Sequence, residues 1–169
     1  TDVTDVLGFW FTHKENWWKR SSAFDDNIRK RFEPLRTAIM NGEHEAWRET
    51  PKGALAYVLV LDQFSRNMYR GDRRSYEGDA KALMAARHAI AVGSDASLST
   101  DEQMFLYMPF MHSEDVGNQE QSVTLFRALG AESLHFAEQH RDIIFRFGRF
   151  PHRNAVLGRL SSVKELRFL

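Results

Sequence analysis

The sequence predicts an all-α protein, and three observations carry that reading. The stretch Gly53–Gly71 is apolar on every side through Leu55, Ala56, Tyr57, Val58, Leu59, Val60 and Leu61. A helix that is apolar all round belongs in the middle of a domain. Elsewhere apolar residues recur at spacings of three and four, the mark of amphipathic helices. Strand signals are absent: there is no sustained apolar–polar alternation and no Asn-Gly or Asp-Gly hairpin.

The elements follow in order. Asp2–Thr12 opens with acidic residues and then Val6, Leu7, Phe9, Trp10 and Phe11, a short helix that Asp2 or Thr4 can cap. Asn16–Arg20, with Trp17 and Trp18 between charges, reads as a connector. Ser22 followed three residues later by Asp25 suggests the next helix start. Phe24, Ile28, Phe32, Leu35 and Ile39 define that helix to Met40, with a kink or break expected at Pro34. Asn41–Gly42 is a natural stop. A short turn around Trp47 precedes Thr50–Pro51, which pairs an N-cap with proline at the first helical position of the central helix.

Beyond the charged turn Gly71–Ser75, a helix is expected over Tyr76–Val92, ended by Gly93. Ser99 with Glu102 makes a capping box for a helix to about residue 108, which Pro109 closes or bends. A polar loop, His112–Gly117, leads to helices over Asn118–Leu129 and Ala131–Phe147. Ser162 and Glu165 cap a last short helix. In all, roughly seven to nine helices of ordinary length form one domain over residues 1–169. A chain of this size buries roughly 70% of the surface it exposes unfolded.

Composition removes several function classes. The 23 basic and 23 acidic residues balance, so no basic field draws nucleic acid. With no cysteine there is no disulfide, thiolate nucleophile or Cys-ligated metal. The longest apolar run, Ala54–Leu61, is too short to span a bilayer. No signal peptide is legible, and a soluble cytoplasmic protein is expected. No glycine-rich phosphate loop or nucleophile elbow is present.

The polar residues gather in three clusters. The first is Asp62, Gln63, Arg66, Asn67 and Arg70 at the end of the central helix. Asp62 and Arg66, four apart, share one face. They are either an ion pair closing a buried helix or a carboxylate orienting a guanidinium toward an anion. The second is His112, Ser113, Glu114, Asp115 and Gln119. Its acids either cap the following helix or orient His112, an imidazole suited to proton transfer. The third contains His140, Asp142, Arg146, Arg149, His152, Arg153, Asn154 and Arg159, interleaved with Phe145, Phe147 and Phe150. RNA binding by these arginines is disfavoured by the zero net charge. A metal site is disfavoured too: Glu132 and His135 give one Glu-x-x-His where a di-iron bundle needs two. No cofactor is implied.

The segments LGFWF, FDDNIRKRF, TPKGALAYVLVLDQFSRNMYRG, YMPFMHSED, HRDIIFRFGRFPHRNAVLGR and SSVKELRFL together resemble an uncharacterised bacterial and fungal family, catalogued as domain of unknown function nine-two-four. The resemblance runs from Val6 to Leu169. It implies antiparallel helix pairs in a tetratricopeptide-like, right-handed array, although no repeat of that period is visible. It implies no chemistry. Its motif positions coincide with the three clusters, so we expect these to meet in one polar pocket.

Two functions fit. In the first, a small anionic molecule is gripped by Arg66, Arg149 and Arg153. His112, Glu114 and His152 then supply acid–base or hydrolytic chemistry, and Asp62, Asn67, Arg70, Gln119, His140, Arg146 and Asn154 complete the site. In the second, the protein is an interaction scaffold. There the polar set is structural, and a protein partner occupies an aromatic groove near Trp17, Trp18 and Trp47.

Overall fold

The structure, a computed structural model, describes residues 1–169 and is helical throughout, without strands. Its axis is a rod over residues 51–68. Helix α3 (Pro51–Leu59) runs into a π turn, Val60–Phe64, and emerges as α4 (Ser65–Met68). Every residue from Gly53 to Asp62 is buried. Thr50 caps the rod as its sequence promised, its hydroxyl accepting from the Gly53 amide at 3.0 Å. Gly53 is required there. A Cβ would sit 2.1 Å from the carbonyl oxygen of Trp47, in the 3-10 turn Glu45–Glu49 that packs on the rod.

Around the rod, α1 (Val3–Phe11) and α2 (Ser22–Met40) cover one side, α2 lying against the π turn and α4. On the other side α5 (Asp79–Ala91) and α6 (Thr100–Met111) pack on α3 and on each other. Then α7 (Val116–Arg127) packs on α6, and α8 (Ala131–Phe147) on α7, as an outer layer. Two short helices, α9 (Asn154–Leu157) and α10 (Val163–Phe168), close the chain. The core joins 34 buried apolar residues, among them Trp10, Phe32, Phe64 and Phe105. No helix is long and apolar enough to cross a membrane.

Several boundaries differ from expectation for physical reasons. Ser21, not Ser22, caps α2, accepting from the Phe24 amide at 3.2 Å. Pro34 does not break α2. It and Lys30 both face solvent, so the carbonyl that proline leaves unpaired is open to water. Pro109 likewise lies inside α6, which continues to Met111. The expected helix at Tyr76 begins only at Asp79, because Arg73–Ser75 is a separate 3-10 turn.

Candidate functional site

The π turn shapes the site. Inserting one extra residue into a helix turn frees a carbonyl and redirects side chains, and such turns recur at functional sites. Here the carbonyl of Val60 accepts from the Ser65 hydroxyl at 3.1 Å. That hydroxyl in turn accepts from Arg36 Nε at 2.8 Å. Thus α2 props the turn from behind, and Asp62 emerges from it on the side of α5 and α6.

Asp62 is only 2% exposed and fully engaged. Its Oδ1 accepts from Arg66 Nη1 at 2.6 Å and from His112 Nδ1 at 2.7 Å, and its Oδ2 lies 3.0 Å from the same imidazole nitrogen. Burial alone would raise the Asp62 pKa. The charges of His112 and Arg66 outweigh it and hold the carboxyl below its ordinary value. An ionised carboxylate only accepts, so Nδ1 carries a proton, and Nε2 is the His112 ring nitrogen left without a partner in the chain. Arg66 places both terminal nitrogens on Asp79, at 2.8 and 2.9 Å. Asp79 comes within reach because Gly78 allows α5 to start hard against the rod. A Cβ there would lie 2.8 Å from the Leu61 carbonyl oxygen.

Arg153 completes this centre from the 3-10 turn Pro151–Arg153. Its Nη2 donates to the His112 carbonyl at 2.7 Å, and its Nη1 lies 3.9 Å from Asp79. Its guanidinium stands 4.5 Å from the Tyr76 ring centroid, and that of Arg66 lies 5.4 Å from the same ring. Arg153 Nε is buried without a partner. Burial pulls the Arg153 pKa down, and the neighbouring Arg66 charge adds to it. Phe150 is the hub of the flanking wall: Arg153, His140 and His152 lie 4.7, 5.6 and 5.8 Å from its ring. His140 Nδ1 donates to the Phe136 carbonyl at 2.8 Å, which leaves its Nε2 free. Burial pushes the His140 pKa down to about 4. His152, although exposed at its edge, is also pushed down by the partial desolvation of its ring, with Arg153 adding to the shift.

The three sequence clusters therefore do not meet at one point. Asp62, Arg66, His112, Arg153, His140 and His152 are brought together. Asn67 and Arg70 turn the other way, onto Asp25 of α2 at 2.8 and 3.0 Å. Gln119 is buried beneath the end of α6, donating to the carbonyls of Met111 and Ser113 at 2.8 and 2.7 Å. Glu114 accepts from the Phe150 amide at 2.6 Å and from both terminal nitrogens of Arg159 at 2.8 and 3.0 Å. Arg149 is bidentate on Glu165, at 2.9 and 2.7 Å. Asn154 accepts from Arg159 Nε at 2.9 Å. Glu114, Arg159, Arg149, Glu165 and Asn154 together fix the segment that carries His152 and Arg153. Arg146 is exposed and lies over Phe147 and Phe168. Nor do the three tryptophans line one groove. Trp17 is buried and bonded to the Trp10 carbonyl, Trp47 is half-buried against the core, and Trp18 alone is largely exposed, at 68%.

Sequence reasoning missed Tyr76, Asp79 and Arg36. Tyr76 and Asp79 lie at a helix start with no spacing that links them to Asp62. Arg159 stood in the third cluster, but its clamp on Glu114 bridges 45 residues of chain. No group of three or more His, Asp or Glu side chains is arranged to hold a metal ion.

Fold and site define an all-helical protein built on a π-bulged central helix, with an Asp–His–Arg network at the bulge. The chain belongs to the family described as bacterial protein of unknown function (DUF924), whose model matches residues 6–169. It is similar to a solved structure from Agrobacterium tumefaciens, the protein of unknown function ATU0120. The two share 39% identity over 98% of this chain and 95% of that one, with a TM-score of 0.95. No curated protein matches.

Proposed function

We propose that the protein binds a small anionic molecule beside His112, with His112 accepting or donating a proton. The observation that carries this is the 2.7 Å bond from His112 Nδ1 to a buried Asp62 seated on a π turn. A carboxylate on Nδ1 fixes the tautomer and leaves Nε2 for acid–base work. Arg153 supplies positive charge with donor capacity unspent, and His152, exposed at the edge, supplies a further hydrogen bond. Asp62 orients the imidazole. Glu114 acts through the backbone it holds, as a positioning residue. Hydrolysis or proton transfer fits this set.

The test is thermal unfolding with added inorganic phosphate, acetate and citrate, together with histidine-ring NMR. A ligand that binds only the folded state stabilises it by about 2.7 kcal/mol at a hundredfold excess over Kd. At least one anion should raise Tm and shift the His112 and His152 ring signals saturably, and His152→Ala should abolish both effects while leaving the fold intact. Unmoved rings with every anion would sink the reading.

The scaffold reading has one observation in its favour. Glu114, Arg149 and Asn154 are engaged within the chain, as members of a structural network would be. A tetratricopeptide-like array is supported by α6, α7 and α8 each packing on the next across a short connection. On this reading Arg153→Met would change stability but no anion would stabilise the wild type.

A further inference from the structure

The last helix is inside out. A surface helix normally buries its apolar stripe and exposes its charges. In α10 the one buried side chain is Glu165, 3% exposed, while Val163, Leu166 and Phe168 face solvent. Leu160, just before it, is 92% exposed, and Leu169 is exposed too. The helix is tied down by polar groups: Glu165 to Arg149 and Asn154, and the Ser162–Glu165 capping box. A concentrated exposed apolar patch of this kind marks an interaction surface.

The neighbouring face of α8 says what covers it. Only Ala137 and Ile144 of that 17-residue helix are buried. On the side opposite them, at 100° per residue, stand Glu132, His135, Gln139, Asp142 and Arg146, none of them buried. This row is self-complementary. When two copies lie antiparallel with Gln139 at the centre, Glu132 of each faces Arg146 of the other and His135 faces Asp142. Asp142 also keeps its own Arg141 at 3.1 Å. Phe168 touches Phe147, ring centroids 5.1 Å apart, so α10 lies beside the C-terminal end of α8. Phe136, exposed, lies on the same flank as Phe147 but near the N-terminal end. Two-fold symmetry then sets the apolar face of one α10 against Phe136 of the other copy. An isologous contact requires this kind of self-matching.

We infer that the α8–α10 face pairs two copies of this chain. The inference is independent of the anion site. It is tested on the full chain by analytical ultracentrifugation over a concentration series, at low and high salt. The wild type should be a dimer that salt weakens. Glu132→Arg and Arg146→Glu each set like charges together at two symmetric places, so each should raise the dimer Kd about tenfold or more. The double variant E132R/R146E restores both pairs in exchanged positions and should recover most of the affinity. Leu166→Asp should weaken the dimer with circular dichroism unchanged. A monomeric wild type would overturn the inference, as would a dimer indifferent to these charges or an exchange that fails to rescue. So would a monomer that instead binds phosphatidylserine vesicles through Leu166.

Discussion

At the scale of single residues, protonation of His140 opposes the fold. Burial sets its folded pKa at about 4, below an ordinary value of 6.5. The unfolded chain therefore binds the proton more readily, and stability from the neutral ring is fully present above pH 6.5 and lost as pH falls toward 4. His152, pushed the same way, adds to that loss. Below this window a second loss begins. Glu165, held low by the Arg149 hydrogen bond, and Glu114, held low by Arg159 against the upward push of burial, must then take up protons. Thermal unfolding followed against pH should show the wild type losing Tm in both stages. His140→Leu should flatten the upper stage and leave the lower one; parallel curves would refute the assignment. Arg159→Met is the companion test of position. It strips Glu114 of its charged partner and should lower stability by about 1–3 kcal/mol in urea, with the His152 ring signal moving as its segment loosens.

At the scale of elements, the π turn is the feature that sequence patterning could not show. Its neighbours are apolar on every side, so a one-residue insertion leaves the hydrophobic record unchanged. What holds it is a tertiary contact, Arg36 to Ser65, between residues 29 apart. Local chemistry was legible where it is local. Thr50–Pro51, Ser99–Glu102 and Ser162–Glu165 each cap the helix they announce, because a cap needs only a side chain and an amide two or three residues on. Asp62–Arg66 was legible for the same reason, from helix geometry alone. His112 on Asp62, Asp79 on Arg66 and Glu114 on Arg159 were not. Each joins residues the fold brings together, and residue type alone does not choose among partners. The turn gives its own prediction. Ser65→Ala leaves the buried Arg36 Nε unpaired, takes the hydroxyl from the Val60 carbonyl and should lower stability by about 1–3 kcal/mol. It should also release Asp62, so that the His112 ring signals broaden or shift. Ser65→Thr, which keeps the hydroxyl, should restore the His112 signals. A His112 spectrum unchanged in Ser65→Ala would mean that the prop does not position the site.

At the scale of the whole molecule, stability is unevenly distributed. The middle of the rod is buried on all sides, with Leu55–Leu61 sealed by α1, α2, α5 and α6. The C-terminal segment is held by ion pairs and caps, with its leucines in solvent. Apolar burial is what makes opening expensive, so elements with little of it open first. Amide hydrogen exchange should therefore be slowest over residues 55–61 and fastest over residues 162–169. Glu165→Gln removes the charge on which Arg149 closes and should speed exchange of residues 162–169 about tenfold or more without touching the rod. Arg149 and Asn154 lie on the same segment as His152 and Arg153, so the variant should also reduce stabilisation by anions at the His112 centre. If two copies pair through α8 and α10, protection over 162–169 will rise with protein concentration in the wild type but not in Leu166→Asp. Uniform exchange along the chain at low concentration would show instead that the polar latch holds as firmly as the core.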